Sequence, residues 1–218
     1  MESGDGTLSA TEFRVAACAF SELWKTFNSS LPQWSWVPSL KRSCVHYQNM
    51  EGYLSLENVI LPRFFVEDDV MEEVECSSAE EDDFIDTAKL VRNQDSGAHH
   101  YNFHIVYSLS YRVPVLYFRA YCSDGQPLAL KDIEKDIPVN SVQLLTKSKW
   151  TFLTQEEHPI LHLPWYTLHP CGTVEWMRLL LGNKTCIDQG GLPIDKYLVS
   201  WFSVVGQVFG LKIPLEMV

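Results

Sequence analysis

The run HYNFHIVYSLSYRVPVLYFRAYCSDGQPL, residues 100–128, leaves a chain that contains it little choice of fold. Tyr101, Phe103, Ile105, Tyr107, Leu109 and Tyr111 alternate with polar or small residues, the period of two that sets one face of a strand against a core. Pro114 interrupts the alternation, VLYFRAYC starts a second strand, and Asp124-Gly125 supplies a turn. Two antiparallel strands with a kinked connection are the simplest reading. The edge of the Tyr101–Tyr111 strand is a candidate for strand addition by a partner, provided it is exposed.

Helical signals flank this sheet. Residues 9–27 place Phe13, Ala16, Ala17, Phe20, Leu23, Trp24 and Phe27 at three- and four-residue spacing, with Ser9 or Thr11 as cap. The tryptophan-rich NSSLPQWSWVPSLKRS that follows reads as a loop packed onto the domain. GYLSLENVIL (52–61) alternates as a strand, and LKDIEKDI has room for one or two helical turns. SVQLLTKSKWTFLTQEE is ambiguous between states. Pro159, Pro164 and Pro170 forbid a regular helix between His158 and Cys171, leaving an irregular loop. TVEWMRLLLG then reads as a short helix stopped by Gly182, and PIDKYLVSWFSVVGQVFGL as a final one with Pro193 in its first turn. The fold class is α+β: an antiparallel sheet flanked by helices, in a single domain spanning 1–218.

The net charge of −11 belongs to one segment. Of 28 acidic residues, 11 fall in EDDVMEEVECSSAEEDDFID, and the remaining 17 balance the 17 lysines and arginines. The stretch 67–98 therefore reads as a mobile acidic insertion, a soluble spacer. No basic block points to nucleic acid or to an anionic membrane. No apolar run approaches the ~20 residues of a membrane span, and MESGDGTLSATEF lacks the pattern of a secretory signal. A cytoplasmic, monomeric protein with six reduced, scattered cysteines is expected.

Among those cysteines, Cys171 stands apart. It lies in His169-Pro170-Cys171-Gly172-Thr173, immediately before a helix start. The flanking proline and glycine argue for an exposed turn. Thr173 can cap the helix, whose free N–H groups favour negative charge near the sulfur, and His169 can orient a substrate or hold a proton. A packed small hydrophobe is the bland alternative for a lone cysteine. Cys18 lies near the apolar face of its helix and Cys122 at a strand end, where packing suffices; carboxylates surround Cys76, and nothing activates Cys186. A zinc site is not expected: prolines break the helix that would make His158 and His162 a ligand pair, and His100 and His104 fit a solvent-facing strand edge.

Taken together, YSLSYRVPVLYFRAYCSDGQPLALKDI, QEEHPILHLPWYTLHPCGT and WFSVVGQVFGLKIPL resemble the family of autophagy-related protein ten, the E2-like conjugating enzymes of autophagy. The resemblance runs from about Tyr101 to Leu215, and its first and last blocks favour that family over the sister family of autophagy-related protein three. It implies a variant ubiquitin-conjugating fold. It also implies that Cys171 accepts autophagy modifier twelve, a ubiquitin-like protein, as a thioester from its activating enzyme (autophagy protein seven). The modifier would then pass to a lysine of autophagy protein five, with no metal or small-molecule cofactor. Ordinary conjugating enzymes stabilise the oxyanion with an asparagine ahead of the cysteine; this sequence has none there. His169, the backbone N–H groups of Gly172 and Thr173, and a strand tyrosine (Tyr107 or Tyr117) are the candidates. Two rivals stand beside this reading: a catalytically silent module of the same fold, and a cysteine hydrolase with a distant base such as His104.

Overall fold

The computed structural model describes residues 6–39, 52–61, 98–138, 153–182 and 194–217. The acidic insertion, Ala98 apart, lies outside these residues, as do Cys44, Cys76, Cys186 and Pro193. The described elements run α1 (Ala10–Phe27), β1 (Ser35–Pro38), β2 (Gly52–Leu61), β3 (His99–Ser108), β4 (Val113–Tyr121), α2 (Leu130–Asp136), β5 (Leu153–Glu157), β6 (Pro164–Leu168), α3 (Thr173–Gly182) and α4 (Ile194–Val205). The strands form one antiparallel sheet in the order β1-β2-β3-β4-β6-β5. No helix among the described residues is long and apolar enough to cross a membrane.

The first helix starts where its side chains satisfy the otherwise orphan amides. Ser9 Oγ accepts from the Glu12 N–H at 3.2 Å while Glu12 Oε2 accepts from the Ser9 N–H at 2.7 Å, a closed capping box. Phe13, Ala16, Ala17, Phe20 and Trp24 are buried, whereas Phe27, at the last turn, is exposed. The small residues at 16 and 17 are fully buried where this helix packs closely along α4, with the Phe20 and Phe202 rings 5.3 Å apart. The Trp24 indole donates to the Pro32 carbonyl at 3.0 Å and packs on Trp34, pinning the connection to the core. That connection is not all loop: Ser35–Pro38 pairs with Gly52–Ser55 as a short strand, because Trp36 and Val37 supply residues that fit a sheet surface.

The central hairpin departs from the sequence reading in three ways. Its first strand ends at Ser108, and Leu109–Arg112 forms the turn, with Arg112 at φ +56°. Pro114 lies inside β4 rather than between strands; β6 pairs with β4 only at Tyr117 and Phe118, so the proline sits beyond that ladder. Finally, β3 is an inner strand, bonded to β2 and β4 on its two sides. Strand addition at its edge is therefore excluded. The segment 158–168 is likewise not one irregular loop, since β6 pairs antiparallel with β5 over five residue pairs.

Both sheet faces are covered. Tyr101, Phe103, Ile105, Leu116 and Phe118 face the helices. Tyr53, Val106, Val115, Tyr117 and Trp165 form a second cluster on the opposite face, closed by Ile160 and Leu161 of the β5–β6 turn. There His104 is 3% exposed rather than facing solvent, sandwiched between Trp165 and Tyr53 with ring centroids at 4.1 and 4.4 Å. His158 is fully buried beside it. His158 Nδ1 accepts from the amides of Ile160 and Leu161 at 3.2 and 3.1 Å. Its Nε2 therefore carries the proton and donates to His104 Nδ1 at 3.1 Å, which puts the His104 proton on Nε2. Each imidazole is held neutral by its partners. Burial first, then His158 and Arg119, lowers the His104 pKa to about 3; burial first, then Arg119 and His162, lowers that of His158 to about 4.

Because both folded-state values lie below the ordinary 6.5, the unfolded chain binds protons that the folded chain refuses once the pH drops under about 6.5. Stability is complete above that pH and is lost as the pH falls towards about 4, by up to ~1.4 kcal/mol per pH unit for each histidine. Urea unfolding between pH 7.5 and 4.5 should show this slope, and His104→Gln should remove about half of it; an unchanged slope in the variant would assign it elsewhere.

Candidate active site

The β5–β6 hairpin delivers the chain to residue 169 on the helix-covered side of the sheet, where Leu168 is buried in the main core. Pro170 then opens a single 3-10 turn, Pro170–Gly172, which runs straight into α3. Pro170, Gly172 and Thr173 are buried and Cys171 between them is exposed. A turn this tight leaves one side chain pointing outward, and the chain places the thiol there.

His169 supplies the cap. With φ −63° and ψ 129°, it directs its ring back over the turn, so that Nδ1 accepts from the Cys171 N–H at 3.2 Å. Thr173, expected to cap, is already helical at φ −59° and ψ −43°, and its N–H donates to the Pro170 carbonyl. That amide is thereby committed to the turn and drops out as an oxyanion donor. Across from His169 stands Tyr111 of the β3–β4 turn, its ring edge-on at a centroid distance of 5.7 Å. The strand pattern hid this neighbour, because the alternation runs on through Leu109 and Tyr111; Ser108 and Ser110 were the turn residues that could have shown it. Ser108 anchors the turn by accepting from the amides of Tyr111 (Oγ, 3.3 Å) and Arg112 (carbonyl, 2.7 Å).

An N-terminal strap ties these parts together. The Leu8 N–H donates to the Arg112 carbonyl at 2.8 Å, and the Leu8 carbonyl accepts from the Tyr107 hydroxyl at 2.6 Å. One turn of chain earlier, the Gly6 carbonyl accepts from the Tyr197 hydroxyl of α4 at 2.7 Å. Gly6 sits at φ +81°, and a Cβ there would lie 2.6 Å from the Val174 carbonyl and 3.3 Å from the Arg178 amide of α3. The strap thus lies directly on the helix that follows Cys171. Nothing in the local sequence of residues 6–8 signals this contact.

The other sequence candidates fall elsewhere. The Tyr107 hydroxyl is committed to the strap, its ring 5.6 Å from Phe13, and burial raises its pKa. Tyr117 lies on the opposite sheet face among the histidines, and burial, then Glu156, pushes its pKa up to about 12. The two tyrosines cannot line one site. His104 is buried on that same far face and bonded to His158, so it cannot serve as base to an exposed Cys171, and the hydrolase rival loses its base. His158 and His162 diverge, one buried and the other paired in solvent with Glu157 at 2.7 Å. Among the described residues no group of three or more His, Cys, Asp or Glu is arranged to hold a metal ion. Cys18, expected near the apolar face, is exposed.

Comparison with known proteins adds an independent line. The profile described as "Autophagocytosis associated protein, active-site domain" matches residues 12–216. The chain is 52% identical over 221 residues to the ubiquitin-like-conjugating enzyme ATG10 of Arabidopsis thaliana, covering 99% of this chain and 97% of that one. It is 46% identical over 116 residues to the human enzyme of the same name, covering 53% and 51% of the two chains. To autophagy-related protein 3 of Pichia angusta it is 30% identical over 117 residues, 53% of this chain and 32% of the relative. A solved structure described as that of the autophagic E2 Atg10 superposes with a TM-score of 0.45 at 17% identity, covering 94% and 99%.

The strap can be tested apart from the chemistry. Gly125 has φ +83° and nothing within 4 Å of where a Cβ would lie, so Gly125→Ala should cost only the conformational ~1 kcal/mol. Gly6→Ala adds the collision with α3 and should cost about 2–3 kcal/mol in urea unfolding. Equal losses would show that the strap does not bear on the helix.

Proposed function

Since this chain belongs to the autophagocytosis-associated active-site domain family, we propose that Cys171 is the residue on which it carries a ubiquitin-like protein. The chain is an E2-like conjugating enzyme of the ATG10 type, a transferase. The observation that carries the assignment to Cys171 is its exposure on a turn whose own amide is held by His169.

The reaction follows from thioester chemistry. The Cys171 thiolate attacks the thioester carbonyl of the modifier's C-terminal glycine; a new S–C bond forms and the activating enzyme's cysteine leaves as thiolate. A lysine amine of the acceptor then attacks the same carbonyl. The tetrahedral intermediate collapses with loss of the Cys171 thiolate, and the ammonium proton passes to solvent. The product is an isopeptide bond. The thioester is already activated, so the enzyme's task is to hold the carbonyl still and accessible to two proteins in succession. The 3-10 turn, fixed by Pro170 and by His169 Nδ1, does the first, and exposure of Cys171 the second. We assign the modifier as autophagy modifier twelve, the activating enzyme as autophagy protein seven and the acceptor as autophagy protein five, with the reaction in the cytosol; likeness to the ATG10 enzymes supports this.

The test mixes the full chain with activating enzyme, modifier and ATP and resolves the products without reductant. An adduct of one modifier should appear, vanish with reductant, be absent in Cys171→Ala and persist in Cys18→Ala, whose thiol is also exposed. No adduct in the presence of charged activating enzyme would leave a silent binding module as the better account. His169→Ala should slow discharge of the adduct to a small amine by about 10- to 100-fold through loss of the turn's fixed geometry. His169→Asn, which can still accept from the Cys171 amide, should recover most of that loss.

A further inference from the structure

Residues 6–8 belong to no helix or strand, yet three of their backbone groups are bonded. The anchors come from three places: Tyr197 on α4, Tyr107 on β3 and the Arg112 carbonyl of the β3–β4 turn. The strap is therefore fixed to the sheet and to α4 independently of α3. Its contact with α3 is backbone against backbone, Gly6 on the Val174 carbonyl and the Arg178 amide. The helix has little else to hold it. Thr173 and Met177 are buried and Trp176 is half-buried, but from Arg178 to Leu180 the side chains are exposed. With so few buried contacts, the tilt of α3 is set where the strap bears on it.

We propose that Tyr197 is a positioning residue for the transfer step, its hydroxyl holding Cys171 in place through the strap and α3. The inference rests on the reading of Cys171 as the thioester carrier. The path is short. The Tyr197 hydroxyl donates to the Gly6 carbonyl at 2.7 Å, and Gly6 abuts the first turn of α3. The Thr173 N–H ties that turn to the Pro170 carbonyl, so a tilt of α3 carries into the 3-10 turn and moves Cys171. Rates depend steeply on such placement, a shift of about 1 Å costing roughly 100-fold. The residue type at 197 fits this role. Its side chain is 3% exposed in a buried stripe with Leu198, Val199, Trp201 and Phe202, where a phenylalanine would serve packing alone. The hydroxyl adds the bond to the strap. Of the two chemical steps, thiol exchange needs an accessible Cys171 side chain, whereas attack by the acceptor amine needs the thioester carbonyl held still. Loss of the hydroxyl therefore falls on the second step.

The experiment follows single-turnover transfer of the modifier from the charged full chain to autophagy protein five. Tyr197→Phe should charge to the wild-type extent and lower the maximal transfer rate about tenfold, with the half-saturating acceptor concentration unchanged. Tyr101→Phe is the control. It removes another buried hydroxyl bond, to Asp136 at 2.7 Å and at the opposite end of the hairpin, and should transfer at the wild-type rate. Gly6→Ala displaces the strap from α3 and should cause the same loss as Tyr197→Phe; combining the two should lower the rate no further. Tyr107→Phe, which releases Leu8 from β3, should reproduce the loss, and it decides the matter if Tyr197→Phe does not fold. A wild-type maximal rate in Tyr197→Phe overturns this inference and leaves Cys171 as the carrier. So does an equal loss in Tyr101→Phe, or losses that multiply in the double variant. Failure of the wild-type chain to charge takes both readings down.

Discussion

Nine consecutive residue pairs, from His100 opposite Tyr121 to Ser108 opposite Val113, join β3 to β4, and the position of every other part is taken from that ladder. Its helix-side face receives α1 and α4, its far face the β5–β6 turn, and its closing turn the strap and the edge-on tyrosine at His169. At the opposite end, His99 Nδ1 and the Tyr101 hydroxyl meet Asp136 Oδ2 at 2.5 and 2.7 Å, which fastens α2. Buried polar contacts of this kind are costly to leave half made, so they fix register as well as position.

The site itself is built from sequence-distant pieces with a division of labour. Proline restricts the backbone before the cysteine, histidine holds the amide, and the strap sets the helix behind it. Each piece is local in its chemistry but non-local in its support: residues 6–8, 107–112, 169–178 and 197 converge within a few hydrogen bonds. An exposed thiol on an unsupported loop would sample many positions; here the supporting backbone is bonded at both ends, leaving the side chain as the free element.

What could be read from the chain and what could not separate along the same line. The cap at Ser9 (one of the two candidates), the strand 52–61, the short helix at LKDIEKD and the cysteine turn before TVEWMRLLLG are encoded by neighbours, and the structure has each of them. The burial of His104, the inner position of β3, the strand at Ser35–Pro38 and the strap depend on partners tens of residues away. Period-two alternation reports that one face is buried; it carries no information on whether the other face is also covered. His104 therefore read as a polar, outward residue although β5–β6 closes over it. Pro114 misled for a related reason: whether a proline breaks a strand depends on where the neighbouring ladder ends, and β6 ends short of it.

The histidine pair on the far face carries a further consequence, for inheritance. With Nδ1 occupied by two amides, residue 158 must present a donor towards position 104. Position 104 must then hold an acceptor on a ring or amide flat enough to lie against Trp165. A lysine or arginine there would set donor against donor in a dry space, and a leucine would leave the His158 proton without a partner. Position 104 can change alone only to a residue that keeps such an acceptor; any other change there needs a matching change at 158, and the surroundings of Tyr53 and Trp165 narrow the pairs that pass.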